Sequence, residues 1–569
     1  MVYWGWGWWG SSLKSYAEIT AMTKANALTE LNSHAVDYYT KFIDEGKMIA
    51  GKYLSTETNA SVFLWSGYYI QYSSGAWSDV QVGDAEETIL VVMMANENGD
   101  LYVPADYSTS ANWDIWYDWG AKTQYTKDWY SLPREIKIGE NLWAYSKHLI
   151  EITPHSSGYW WANAFRFYGR NFACNYKQAP LLTWVIVDWW YKWYGTSATN
   201  TWHNFRRHQY SGCVNLEEIP LTEVLPNTVT TIWDYFRANQ YYGCTLLTSA
   251  ATEVLPNTVT SVGGYFRQYQ YAGCGHLLSV PTEVFTSWVT TIWDYFRSYQ
   301  YQWCSSIKTP ATEVLPNAVT SVGNSFRWNQ YQNCISLTSA AAEVLPNTVA
   351  SIWTYFRQYQ YASTASTSAA TEVLPTWVTT IPNYFRYNQY YGCTLLTSAA
   401  AAEVLPNTVT SVWTYFRGAQ YQNCLSLASV PAEVLPTSVT SVWTNFRYNQ
   451  YYNCISLTET TEEVLPNTVT TIWGYFRANQ YYGCSKINNI VWWRDLSIWA
   501  SNYRNQQFYN CNTNKTVTVL TDVWYTGQSN TLLNQYVTQV NVPSAYLSNF
   551  VNSTKQPRTS ITDSKFVWY

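Results

Sequence analysis

The sequence predicts a mainly β chain with some α, organised as a repeat solenoid that follows an N-terminal helix and a small antiparallel β domain. Three observations predict it. First, from about 201 to 484 a unit of some thirty residues recurs, ending TIWDYFRANQYYGC at Cys244, SVGGYFRQYQYAGC at Cys274 and TIWDYFRSYQYQWC at Cys304, with steps from Cys213 to Cys484 of 31, 30, 30, 30, 30, 29, 31, 30 and 30 residues. A fixed period in the range of roughly 20–50 residues marks stacked units, each burying its apolar face only against its neighbours. Second, each unit carries two short segments rich in Thr, Val and Leu on either side of Pro-Asn, as in LLTSAATEVL-Pro256-Asn257-TVTSV; such segments favour strands and Pro-Asn favours a turn. Third, all eleven cysteines fall in the repeat register, nine at one phase with Thr364 substituting once, and Cys174 and Cys511 ending looser copies.

Taken in order, residues 1–11 (MVYWGWGWWGS) are low in complexity. Residues 12–46 read as a helix: a Ser-rich entry, apolar residues three and four apart, and Gly46 as a stop. Such a helix docks on its own domain or joins two copies of the chain, a route to a homo-oligomer. Residues 47–150 alternate in the manner of strands (SVFLWSGYYIQY, ETILVVMMAN, REIKIGENLW), with Asn-Gly and Gly-Asp turns, and predict a small antiparallel β domain. Residues 151–512 form the solenoid, and residues 513–569 a C-terminal cap, which a stacked array requires. With one strand per turn at about 4.8 Å, ten turns make a rod of roughly 45–50 Å. In the turn ending at Cys274, Leu255, Val259, Val262, Phe266 and Cys274 are the inward positions.

Composition excludes several classes. The net charge is −5 with 12% charged residues, so no basic footprint for nucleic acid exists. No apolar run approaches the roughly 18–20 residues of a membrane helix, and the first residues lack the pattern of a secretory signal. One cysteine per turn reads as a small buried hydrophobe, since parallel thiols on adjacent turns point the same way and bridge poorly; metal sites and cofactors are not expected. Asp106, Asp114 and Asp118 lack a calcium-loop spacing and read as solvated loop acids, and His155, His203 and His208 as ordinary surface or packing residues.

The chain has 33 tryptophans. After the Ile or Val of the unit the residues run Trp233, Gly263, Trp293, Gly323, Trp353, Pro382, Trp413, Trp443 and Trp473; before the cysteine they run Gly243, Gly273, Trp303, Asn333, Ser363, Gly392, Asn423, Asn453 and Gly483. Gly and Asn alternating at one site mark a positive-φ backbone. An indole in a hole sized for hydrogen would overpack the stack. A genetic code that reads UGA as glycine removes the conflict, with most tryptophans standing for biological glycines.

The run LPNTVTSVG, followed by an aromatic pair, then Cys and a leucine-bearing stretch, resembles the BspA-like leucine-rich repeat, whose pattern is Pro-x-x-Val-x-x-Ile-Gly, Ala-Phe, Cys-x-x-Leu. The resemblance covers roughly residues 150–512, although the unit is about 30 residues rather than the family's roughly 23. It implies a leucine-rich-repeat solenoid and a non-enzymatic role in cell adhesion, binding a protein or glycan partner on a cell surface. A virion tail-fibre or host-attachment protein and an intracellular interaction scaffold are the alternatives; localisation at the cell surface or in a virion follows from the first two. An enzyme would need clustered carboxylates within 47–150.

Two charges recur per unit, Glu253 and Arg267 with their equivalents, and alternating Glu–Arg pairing along the rod is the natural structural reading because like charges stacked at about 5 Å repel. Nine equivalent carboxylates leave no unique acid or base. The repeated Gln-Tyr is either a core ladder or an exposed aromatic face. Residues between Arg and Gln vary, so Asn239, Tyr269, Tyr299, Asn329, Tyr359, Asn388, Asn449 and Asn479 are expected to face solvent and form the ligand surface.

Overall fold

The structure, a computed structural model, describes residues 13–15, 18–19, 22, 24–44, strands and turns between 48 and 154, 182–188, most of 200–492, 505–511, and strands at 515–519, 537–542 and 566–568. The chain is mostly β, with a β-solenoid of about eight turns, and divides into two compact units, residues 1–196 with 212–221, and 197–211 with 222–569.

Among the described residues of the first unit, two helices, α1 (Lys24–Ser33) and α2 (Ala35–Asp44), lie where the sequence predicted a single helix over 12–46. Next to the break, the Asn32 side chain donates to the Leu28 carbonyl of its own helix at 3.0 Å and exchanges two hydrogen bonds with the Trp77 backbone, accepting its N–H and donating to its carbonyl, both at 2.8 Å. Ahead of α1, Ser15 and Glu18 form a capping box: the Ser15 N–H donates to the Glu18 carboxylate at 2.7 Å and the Glu18 N–H to Ser15 Oγ at 3.3 Å. Ile19, Leu31, Tyr38, Phe42, Tyr72 and Trp77 close a small apolar core between the helices and a four-stranded antiparallel sheet. That sheet comprises Met48–Ala50, Ala60–Trp65, Tyr68–Ser73 and Ala76–Gln81 in sequence order. A five-stranded antiparallel sheet has the spatial order Leu182–Asp188, Ile89–Met94, Lys147–Pro154, Trp113–Tyr117, Thr123–Tyr125. Its first strand corrects the boundary expected at 150: the antiparallel part reaches Asp188, and the first solenoid strand is Asn200–Thr201. Asp114 lies in a strand and is buried rather than being a solvated loop acid; Asp106 and Asp118 fall outside the described residues.

In the second unit the thirty-residue turns stack in parallel and in register. Thr231 pairs with Ser261, Ser261 with Thr291, Thr291 with Ser321 and Ser321 with Ser351; a second file runs Thr380, Ser411, Ser441, Thr471. The two files part at the 29-residue step, where one residue is missing between Thr364 and Cys393. The opposite wall continues across it, with Arg386 N–H donating to the Phe356 carbonyl at 3.2 Å and Ser363 N–H to the Tyr391 carbonyl at 2.7 Å. Pro-Asn makes the expected turn, closed by Val259 N–H to the Pro256 carbonyl at 3.0 Å. Leu255, Val259, Val262, Phe266 and Cys274 are all buried. Beyond the repeats, Asn489–Trp492, Lys515–Val519, Val537–Val542 and Phe566–Trp568 form a four-stranded parallel sheet in sequence order, so stacked strands occupy part of the region expected to be a cap.

The segment from Asp234 to Cys244 solves a backbone problem in an unusual way. From 235 to 239 alternate residues take positive φ, Tyr235 61°, Arg237 53° and Asn239 56°, and Gly243 follows at 72° after a skip at Tyr241. With φ alternating, one amide in two closes a local turn (Ala238 N–H to the Tyr235 carbonyl 3.1 Å, Gln240 to Arg237 3.2 Å), and the intervening ones cross to the next rung (Asn239 N–H to the Gln268 carbonyl 2.8 Å, Tyr241 to Gln270 2.8 Å). Every non-glycine residue so placed costs about 1–2 kcal/mol. The inter-rung hydrogen bonds, worth about 1 kcal/mol each net, and the side-chain ladders they align offset that cost.

Candidate functional site

Four buried ladders form the interior and remove most chemically capable groups from reach. Phenylalanines stack from Phe205 to Phe476 with centroids 5.1–5.7 Å apart, and tyrosines from Tyr210 to Tyr481 at 5.3–5.7 Å. Gln-Tyr is thus a core ladder. Its glutamines hand amide protons down the stack, Gln270 Nε2 to Gln240 Oε1 and Gln300 Nε2 to Gln270 Oε1 at 3.3 Å. The described cysteines form no disulfide and are buried, and each thiol from Cys244 onward lies on a tyrosine carbonyl of the preceding turn, as Cys304 does on Tyr271 at 3.0 Å. Burial pushes the Cys393 thiol up to about 11 and Cys304 to about 12, far from the nucleophilic thiolate range. Cys174 falls outside the described residues.

The arginine column is buried as well. Arg267, Arg297 and Arg327 lie over the rings of Phe266, Phe296 and Phe326, guanidinium carbon to centroid 4.8, 5.0 and 4.8 Å, a cation–π arrangement. Burial, and then the flanking guanidiniums of Arg297 and Arg237, push the pKa of Arg267 well down. The glutamate side chains that would complete alternating Glu–Arg pairing lie outside the described residues; their backbones stack in register, Glu223 on Glu253 and Glu433 on Glu463.

The pre-cysteine position has positive φ in every turn described, 72° at Gly243, 78° at Gly273, 62° at Trp303, 62° at Asn333 and 74° at Gly483 among them. The other tryptophan column corrects the overpacking expectation. Its indoles leave the stack instead of filling it, with Trp233, Trp293, Trp353, Trp413, Trp443 and Trp473 between 40 and 57% exposed. At Gly263 and Gly323 the preceding turn's backbone occupies the space instead: a Cβ there would sit 2.7 Å from the carbonyl carbon of Trp233 or Trp293. Trp413, Trp443 and Trp473 line up at 6.0 and 5.4 Å.

Of the eight residues expected to contact a ligand, Asn239, Tyr269, Tyr299, Tyr359, Asn449 and Asn479 are half-buried, whereas Asn329 and Asn388, at 7 and 3% exposed, are buried, which corrects their solvent-facing placement. All eight have positive φ, so their backbone role, not variability alone, selects Asn so often there. Next to them runs an aromatic stripe that sequence reasoning missed. Tyr235, Tyr265 and Tyr295 stack at 4.4 and 4.6 Å, and Tyr355, Tyr384 and Tyr415 at 4.9 and 5.0 Å. Where the column lacks a ring, at Ser325 and Asn445, the residue three positions on supplies one. Trp328 bridges Tyr295 and Tyr355 at 6.3 and 6.0 Å, and Tyr448 meets Tyr415 at 6.2 Å. This compensation was legible in the repeats as Ser-x-x-Trp and Asn-x-x-Tyr.

The strand wall, by contrast, exposes hydroxyls. Thr230, Thr260, Thr290 and Thr320 face solvent in successive turns, as do Thr379, Thr410, Thr440 and Thr470, each next to an inward valine. The indole Nε1 of Trp413 donates to Ser411 Oγ at 3.2 Å, which sets the indole column alongside this wall. His203 is exposed, its ring 4.7 Å from that of Trp233; His208 is half-buried, and His155 falls outside the described residues. Among the described residues no three of His, Cys, Asp or Glu converge where a metal ion could sit, and no helix is long and apolar enough to cross a membrane. The chain matches no family model and no curated protein.

Proposed function

We propose that this chain is a non-enzymatic binding protein of the BspA-like leucine-rich-repeat kind, whose solenoid presents a repeated surface to a protein or glycan partner on a cell surface. The observation that carries the reading is the equivalence of its turns. Exposed threonines recur on consecutive rungs, as Thr260 and Thr290 do, while the thiols and the Arg267-type guanidiniums of the repeats are enclosed. A surface made of many equal copies suits additive contact with an extended or multivalent partner, because each further rung engaged acts at high effective concentration. It suits poorly a reaction that needs one acid and one base held apart in pKa.

Fluorescently labelled full-length protein incubated with intact cells, together with immunogold labelling of the organism that makes it, tests this reading. Saturable cell binding with label on the producing cell's surface is the expected result. Label confined to the cytoplasm, with no saturable binding to cells, overturns it.

A further inference from the structure

The strand wall carries a hydrogen-bonding pattern that narrows the ligand. Thr230, Thr260, Thr290 and Thr320 occupy four consecutive rungs, and the file resumes from Thr379 to Thr470. Their backbones are locked together, with Thr260 N–H donating to the Thr230 carbonyl at 2.9 Å and Thr290 to Thr260 at 3.0 Å. Their hydroxyl protons are committed too: Thr260 Oγ1 donates to the Thr230 carbonyl at 3.3 Å, Thr290 to Thr260 at 3.3 Å and Thr320 to Thr290 at 3.2 Å. Two residues earlier, Thr258 donates to the Val229 carbonyl at 2.6 Å, beginning a parallel column.

A hydroxyl has one proton and two lone pairs. With the proton spent on the preceding rung, the Oγ1 atoms of Thr260, Thr290 and Thr320 serve the exposed face as acceptors, each beside its own methyl group. The residues of the file are uncharged. Asp234 and Asp294, one residue past the indole column, already accept the N–H groups of Gly264 and Asn324 at 2.8 and 2.7 Å. Acceptors without cations repel phosphate, sulfate and carboxylate groups and leave nothing to neutralise a nucleic acid. They complement a ligand rich in hydroxyl donors. The rungs recur at about 4.8 Å, close to the advance of a polysaccharide by one pyranose ring, and they are rigid, so little ordering is lost when a ligand settles on them.

We infer that the threonine file is a binding site for a neutral, linear polysaccharide lying along the solenoid axis, one sugar per rung, its hydroxyls donating to the Oγ1 row. The inference rests on the binding reading above and names its ligand class. It does not depend on the indoles beside the file.

The test uses the full chain and neutral β-1,4-linked gluco-oligosaccharides of two to eight units, with the same oligomers oxidised to uronates as the acidic arm, measured by calorimetry. Affinity should rise at least tenfold between the dimer and the tetramer, change less than twofold between 50 and 500 mM salt, and be lost with the uronates. The variant Thr290→Val with Thr320→Val keeps shape and strand propensity but removes two acceptors, and should weaken tetramer binding at least tenfold while the circular dichroism and melting temperature stay within error. Binding that ignores length, prefers uronates, or survives the double substitution overturns the inference, as does the absence of binding by the parent chain. Parent and variant are also compared on intact cells. Equal cell binding by both overturns the threonine site and leaves the adhesive reading standing, whereas no cell binding by the parent overturns that reading itself.

Discussion

Removing one ring from the middle of the phenylalanine ladder measures how far a turn depends on its neighbours. Phe296 is fully buried, stacks on Phe266 and Phe326 at 5.3 Å with rings 5° and 4° from parallel, and carries the Arg297 guanidinium at 5.0 Å. A buried Phe→Ala change costs about 3–5 kcal/mol in lost transfer energy and cavity, of which roughly 1 kcal/mol reflects the two stacked faces. Because each turn contacts only its neighbours, that loss falls on the turns around residue 296 instead of spreading along the rod. At about 4 kcal/mol, the amides that bridge rungs there (Arg297 to Phe266, Tyr299 to Trp328, Tyr301 to Gln330) should exchange roughly three decades faster. Hydrogen exchange followed by mass spectrometry reads this turn by turn, with Trp293→Ala in the same turn as control, an exposed change expected to stay within about 0.5 kcal/mol. Exchange around 297–301 within tenfold of the parent, or equal acceleration by Trp293→Ala, refutes the ladder as the source of stability.

Three further outcomes follow from the same geometry. Trp303→Gly should stabilise by about 1–2 kcal/mol, because Trp303 holds φ at 62° where its counterparts are mostly Gly or Asn; an unchanged or lower melting temperature contradicts this. Buried thiols make the fold alkali-sensitive: below pH 9 folded and unfolded chains both keep the protons, but above it the unfolded chain releases them while Cys393 and Cys304 hold theirs up to about 11 and 12. Stability should therefore fall between about pH 9 and 12 by up to about 1.4 kcal/mol per thiol per pH unit, visible as a denaturation midpoint that drops above pH 9 and recovers in Cys304→Ala; a flat profile speaks against it. We further propose that the indoles stand for glycine in the living protein, a reading supported by their position outside the packed interior; peptides spanning Trp233 or Trp413 should carry the mass of glycine, and a tryptophan mass ends the idea.

The inward positions were legible because apolar residues recurred at the same phase: Val259, Val262, Phe266 and Cys274 were identifiable from one unit and are buried in the fold. The turn before the cysteine was legible for a different reason, since Gly and Asn alternate where φ must be positive. Further positive-φ sites in each turn were hidden, because residues such as Tyr235 and Arg237 do not announce such a backbone. Arginine burial was hidden too: a recurring charge suggests a solvated face, and only the coordinates show each guanidinium lying on a phenyl ring. For the candidate surface, variability pointed to Asn329 and Asn388, but both turn inward. The threonine file was present as Val-Thr in all the units but the one that reads Val349-Ala350, yet its meaning depends on where each hydroxyl proton goes, which no pattern of letters contains.

Strict register, with serine over threonine and glutamine over glutamine, has a consequence for association. A bare terminal rung offers the same amides and carbonyls to a stranger's rung as to its own successor, so nothing local distinguishes growth within one molecule from polymerisation between molecules. The strands from Asn489 to Trp568, whose sequences depart from the thirty-residue formula, end that sameness. Without them the rod would be a seed for fibres.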